Sequence, residues 1–182
     1  MILFITGPSG AGKSTLAAAW VASRNREVAL IDGDHITSWL RLGETSAVNA
    51  ASPDIPVERK AGYYRFTGEI LAAAARIYTD RGVDVVIAQL TGYDPPPPWS
   101  KGWDRLEPLA PVFVVLLPER EVCRQRLVGR GHWQDMSSYD FDWQAWENHP
   151  RALFLDNSHL SIDESVAALD DLLAQHGYTH GA

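Results

Sequence analysis

One cysteine, Cys123, is all that the 182 residues contain, so no disulfide can form within the chain. That suits a reducing compartment, and among the arginines of a predicted helix Cys123 reads as buried filler. Basic residues are in the minority: 16 Lys and Arg against 23 Asp and Glu leave a net charge of −7 and a pI near 5.3. A chain this acidic lacks the general electrostatic grip that holds nucleic acid, although local basic clusters could still bind phosphate. Long hydrophobic runs are missing too. The opening Met-Ile-Leu-Phe-Ile gives way at once to glycines, too short for a secretory signal or a bilayer span, and no later run is long enough. No internal repeat is present. These absences lead to the expectation of a cytoplasmic protein with no membrane partner, folded as one domain over 1–182.

What is present alternates. Five short apolar runs, Ile2–Thr6, Val28–Ile31, Val83–Leu90, Val112–Leu117 and Ala152–Leu155, are continuous rather than every-other-residue. That is the pattern of parallel strands covered on both faces. Helical patterns lie between them. Ser14–Ala22 is alanine-rich, and a short helix is expected over 35–42. Val57–Thr79 carries Val57, Ala61, Tyr64, Gly68, Leu71, Ala75 and Tyr78 at spacings of three and four, with Gly82 as a stop. Tyr63, Tyr64 and Phe66 read as core aromatics. Glu119–Val128 opens after Pro118, and Ser161–Ala174 has a Ser161/Glu164 capping box with Gly177 beyond its end. Alternating strand and helix predicts an α/β fold with right-handed crossovers. Residues 92–111, with a four-proline run, read as an irregular surface loop, and 131–149 are polar and aromatic without a period. Five of the seven tryptophans, Trp99, Trp103, Trp133, Trp143 and Trp146, lie in these two segments.

The most specific pattern is Gly7-Pro8-Ser9-Gly10-Ala11-Gly12-Lys13-Ser14, followed by Thr15. It matches G-x-x-x-x-G-K-[ST], with a strand before it and a helix after it, the context in which that pattern cradles phosphates. Glycines let the backbone turn its N–H groups toward an anion, and the positive end of the following helix faces the same point. Lys13 can then reach the β- and γ-phosphates of a nucleotide, and the Ser14 hydroxyl can ligate Mg²⁺.

The second constellation is Asp32-Gly33-Asp34, at the end of the second apolar run. Like charges this close repel. In a doubly wound sheet, ligands sit at the carboxyl ends of strands, so these acids should lie near the phosphate loop. The third run ends near Gln89 and Thr91 with no acid at its tip, which leaves Asp32 to hold metal-bound water. Asp34 could accept a proton from an attacking hydroxyl, or serve as N-cap of the helix that follows, or both. No guanine-reading N-K-x-D and no D-x-x-G after a strand is found, which favours ATP over GTP and argues against a switch GTPase.

The phosphate loop with Asp32-Gly33-Asp34 resembles the P-loop small-molecule kinases related to shikimate kinase, gluconate kinase, adenylylsulfate kinase and chloramphenicol phosphotransferase. The likeness extends through Val112–Gly131 and Leu155–Val166. It implies a P-loop NTPase fold: a five-stranded parallel sheet in the order 2-3-1-4-5, sandwiched by helices, with a small lid at about 129–150. It implies that Asp34 binds substrate or accepts its proton, that Arg126 lies near adenine, and that Arg130 acts catalytically on phosphate. Asn157 and Ser158 fall at the turn these enzymes place by adenine. Solvated-face roles for Arg126 and Arg130, and turn or cap roles for Asn157 and Ser158, remain alternatives. Arg120 and Arg124 read as solvated. The chain departs from the family where 131–149 carries no arginine, and where the third strand lacks both a Gly-Gly and an acidic pair.

The acceptor is expected over Asp34, between the helix after the second strand and the long helix at Val57. Arg41 on the first and Arg65 on the second are substrate anchors or surface arginines. Beside the two acids, His35 reads as a polar helix-start residue. The resulting expectation is an ATP- and Mg²⁺-dependent phosphotransferase. Lys13, Asp34 and Arg130 would be catalytic, Ser14 and Asp32 metal-holding, and the acceptor a hydroxyl of a small molecule such as an antibiotic or sugar-like metabolite. The alternatives are a nucleoside, nucleotide or polynucleotide-end kinase, and a non-catalytic nucleotide sensor.

Overall fold

The computed structural model describes residues 1–39, 41–42, 45–46, 57–89, 103–130 and 152–178. In chain order the elements are β1 (Ile2–Thr6), α1 (Lys13–Ala22), β2 (Val28–Asp32), α2 (Gly33–Trp39), β3 (Arg41–Leu42), β4 (Thr45–Ser46), α3 (Val57–Thr79) and β5 (Asp84–Ala88). Then follow α4 (Trp103–Leu106), a 3₁₀ turn (Glu107–Leu109), β6 (Val112–Leu116), α5 (Arg120–Gly129), β7 (Ala152–Leu155) and α6 (Ile162–Gln175). Five strands form one sheet in the order β2-β5-β1-β6-β7, all neighbours parallel. Counted among the sheet's own strands, this is the expected 2-3-1-4-5.

The apolar runs are continuous because both faces of the sheet are covered, and successive side chains of a strand serve opposite faces. On β1, Leu3 and Ile5 join Leu16, Trp20, Leu169 and Leu173 of α1 and α6 in one core. Ile2 and Phe4 join Ile36, Leu71, Ala75 and Leu106 of α2, α3 and α4 in the other. There Phe4 stacks on Phe113 across adjacent strands, with ring centroids 5.4 Å apart. α3 closes where Gly82 N–H donates to the Thr79 carbonyl and Val83 N–H to that of Tyr78. On α6, the Ser161 side chain and the Glu164 side chain exchange the two bonds of a capping box.

Several expectations are corrected. The helix after β2 begins earlier, at Gly33, and ends at Trp39, so Arg41 lies on the short β3–β4 hairpin and not on a helix. Part of the expected loop 92–111 is helical: α4 and the 3₁₀ turn are set by Leu106, which is buried against the α3 side of the sheet. A four-residue helix has no period to read, so sequence pattern could not reveal it. Gly68, Leu71 and Ala75 of the α3 stripe are buried, but Tyr78 and Phe66 are exposed. The buried face of α3 runs through Thr67 and Gly68 instead of Phe66. Side chains of Tyr63 and Tyr64, residues 92–102, and the segment beyond Arg130 expected to form a lid lie outside the described residues.

One buried polar link ties α1 to α6. Trp20 is fully buried, and its Nε1 donates to Asp170 Oδ1 at 2.8 Å. Asp170 Oδ2 accepts from Arg24 Nη2 at 2.7 Å, and the Arg24 guanidinium carbon sits 4.4 Å from the Trp20 ring centroid. Asp170→Ala leaves the indole N–H without that acceptor, a loss of about 1–3 kcal/mol. Urea unfolding measures it, and an unchanged midpoint would show the link to be incidental.

Candidate active site

The loop Gly7–Gly12 joins β1 to α1 at the carboxyl edge of the sheet. Two glycines are obligatory there. Gly7 has φ 138° and Gly10 φ 81°, and a Cβ would meet the Leu116 carbonyl oxygen at 2.2 Å and the Cys123 carbonyl oxygen at 2.6 Å respectively. Backbone cannot yield as a side-chain tip can, so the loop is pressed against the end of β6 and the first turns of α5. Cys123 behind it is buried, and burial pushes its thiol up to about 11, away from reactivity. Gly12 is the N-cap of α1, and no side chain caps that end. The first N–H groups of α1 are therefore not satisfied by a capping side chain, as an anion site requires. Ser14 and Thr15 are exposed in the first turn.

Lys13 Nζ donates to the Pro8 carbonyl at 3.0 Å, folding the side chain over its own loop. Burial pulls its pKa down to about 8; Asp34, Cys123 and Asp32 oppose that shift and Arg130 adds to it. These influences place Lys13, Asp32, Asp34 and Arg130 around one region. A bound polyphosphate would favour the charged amine and raise that value. Affinity for a nucleoside triphosphate is therefore expected to be full below about pH 8 and to fall as pH rises through it, by up to about tenfold per pH unit. Calorimetric titration at about pH 7 and about pH 9 reads this slope, and Lys13→Arg, always charged, should flatten it.

The second wall is the acidic turn. Asp32 ends β2 and is half-buried, and its Oδ1 accepts the Asp34 N–H at 2.9 Å. The N-cap of α2 is thus Asp32, and Asp34 is the second helical residue. Asp34 keeps an exposed edge, yet protein crowding on its inner side raises its pKa. Asp32 raises it further, while Lys13 and His35 lower it. A cation on one side is thus what makes two adjacent acids tolerable. His35 is exposed in the first turn of α2.

On the other flank, α5 and the turn after β7 hold the loop. Arg126 Nη1 donates to the Ala11 carbonyl at 3.2 Å and Nη2 to the Asn157 carbonyl at 3.0 Å. Asn157 is buried, and its Nδ2 also donates to Ala11 O at 3.1 Å. Ser158 has the turn role: its Oγ accepts the Glu119 N–H at 2.7 Å and donates to Asp156 Oδ1 at 2.5 Å. Arg130 ends α5, exposed. Arg124 pairs with Glu121 on the solvated face, and Arg65 is exposed on α3. One residue escaped the sequence reading. Gln89, just past β5, is buried between the two walls, with its N–H donating to the Ile5 carbonyl at 3.1 Å. The one available signal was a polar residue directly after an apolar strand.

No group of three or more His, Cys, Asp or Glu side chains is poised for a metal among the described residues. The donors present, a serine hydroxyl and a carboxylate with one oxygen committed to a cap, fit Mg²⁺, which keeps several waters and takes phosphate oxygens besides a few protein ligands. No helix among the described residues is long and apolar enough to cross a membrane.

A strand–glycine loop–helix bearing Lys13 and Ser14, on a parallel sheet of this order, defines the P-loop NTPase fold. A family model described as "AAA domain" (AAA_33) matches residues 2–149, and the chain belongs to that family. Solved structures share the fold. The Deinococcus radiodurans tunicamycin resistance protein is 16% identical, with TM-score 0.68 over 98% of this chain and 96% of that one. A Janibacter sugar kinase is 18% identical, with TM-score 0.59 over 98% of both chains. The Mycobacterium tuberculosis APS kinase, solved with AMPPNP and APS, is 18% identical, with TM-score 0.57 over 95% and 96%. Comparison with curated proteins finds no significant match.

Proposed function

We propose that the protein transfers the γ-phosphoryl group of Mg-ATP to a hydroxyl of a small molecule. One observation carries the reading: Asp32 of β2 and Ile5 of β1 are both level with Ala88 of β5, so the Asp32–Asp34 turn opens at the same carboxyl edge of the sheet as the phosphate loop that bears Lys13. A nucleotide sensor needs the lysine but has no use for a carboxylate with a raised pKa beside it. The three-dimensional likeness to kinases supports the same reading.

The amides of Gly7–Ser14 and the Lys13 ammonium would hold the phosphates, with Arg130 adding charge from the end of α5. Ser14 and Asp32 would hold Mg²⁺, which neutralises phosphate charge when bound. Asp34 would align the acceptor hydroxyl and take its proton as oxygen attacks phosphorus. A pKa raised toward neutrality suits that task. Arg126, Asn157 and Ser158 would border the adenine. The acceptor would lie over Asp34, with Arg41 and Arg65 as anchors. Exposed Trp39 on α2 and Phe66 on α3 would favour an acceptor with an apolar face. The site would work in the cytoplasm, where ATP is plentiful.

The test incubates the protein with γ-labelled ATP and pooled hydroxyl metabolites, nucleosides and antibiotics, and identifies labelled products by mass. A phosphorylated alcohol is expected. ATP binding with no labelled product from any acceptor, water included, would overturn the reading in favour of a sensor.

A further inference from the structure

Gly33 stands between the two acids for a reason of space. Its φ lies outside the left-handed region, so its backbone suits any residue, and inside a helix alanine is ordinarily preferred to glycine. Yet a Cβ on Gly33 would fall 1.3 Å from Gln89 Oε1, 2.3 Å from its Cδ and 3.1 Å from its Cβ. The Gln89 side chain occupies the volume that any other residue at position 33 would need. Gln89 is also anchored. It is 6% exposed, its N–H is bonded to Ile5 in β1, and it follows Ala88, the register partner of Asp32 in β2. β5 lies between β1 and β2 in the sheet, so the residue at its tip separates the phosphate loop from the acidic turn.

We infer that Gln89 is a positioning residue: its buried side chain, seated in the space left by Gly33, sets the height and direction of the Asp32–Asp34 turn relative to the phosphate loop. Its consequence for turnover rests on the kinase reading above; the contact itself does not. Small displacements of this turn would move the Asp34 carboxylate off the line of transfer, where about 1 Å of error costs up to about 10²-fold. Gln89 acts through Asp34 and needs no contact with substrate.

The side chain has a flexible end, so Gly33→Ala could expel the amide and leave the fold standing. A double-mutant cycle covers both responses. Gly33→Ala, Gln89→Ala and the double variant are compared by thermal unfolding, by Mg-ATP affinity, and by ATP turnover with water as the acceptor. Gly33→Ala is expected to lower Tm in the natural background. In the Gln89→Ala background it should be neutral or raise Tm, because the clash is gone and only the helix preference for alanine remains. Gln89→Ala alone should slow turnover about 10–10²-fold with ATP affinity unchanged, the split expected of lost alignment. Equal Tm shifts for Gly33→Ala in both backgrounds would overturn the contact. Natural-rate turnover in Gln89→Ala would overturn the positioning role. A natural protein that binds ATP but labels no acceptor of the pooled assay, water included, would instead overturn the kinase reading, and the Tm cycle would still decide the contact.

Discussion

Asp34→Asn is expected to lower phosphoryl transfer about 10²–10⁴-fold, the range lost when a proton-accepting side chain is removed. ATP affinity should hold or improve, because the change deletes a negative charge from the mouth of an anion site. The amide keeps the size and polarity of the carboxylate. The cap of α2 also survives, since the Asp32 carboxylate accepts the backbone N–H of residue 34, which the substitution keeps. Stability is therefore expected to stay level, and to rise slightly if anything, because the natural carboxylate is held beside Asp32 with a raised pKa. The decisive measurement is single-turnover transfer beside calorimetric ATP binding. Equal transfer by the purified variant would take Asp34 out of the mechanism.

Lys13→Met is likewise expected to separate function from stability. A depressed pKa means that folding disfavours the ammonium: between about pH 8 and the unfolded value of 10.5, the unfolded chain binds more protons, so stability rises with pH in that window. Below it, the charged lysine is a standing cost to the fold. An apolar side chain of similar length removes that cost and forfeits one bond to the Pro8 carbonyl. The nucleotide-free variant should match or exceed the natural protein in Tm. Transfer should fall about 10²–10³-fold, as when a positioned donor to developing charge is deleted, and the Tm rise on adding ATP should shrink. A clear loss of nucleotide-free stability would show that Lys13 is a structural strut.

Much of this site could be read in advance, for a local reason. The phosphate loop is one contiguous stretch whose residue types are dictated by backbone geometry, so Gly7 to Ser14 announces itself in any context. The strands were legible because burial on both faces leaves unbroken apolar runs, and α3 was legible over its whole length because 23 residues give a period several turns to declare itself. The acidic turn was half legible. Proximity to the loop followed from strand order, but which carboxylate caps α2 depends on where that helix starts, and a start two residues earlier makes Asp32 and not Asp34 the cap. Arg41 moved from helix to hairpin for the same reason: boundaries depend on contacts beyond the segment. Phe66 is apolar yet exposed, because α3 turns Thr67 and Gly68 inward.

By itself, the amino-acid order determined the class of fold and the glycine-rich loop Gly7–Ser14 between a strand and a helix, since each depends on neighbours along the chain. Only the tertiary structure decided that Gln89 fills the space beside Gly33, that Arg126 and Asn157 both grip the Ala11 carbonyl, and that Asp32 caps α2. Each of these joins residues far apart in sequence, or depends on a helix boundary. Their geometry comes from strand order and packing, which no periodicity within one segment encodes.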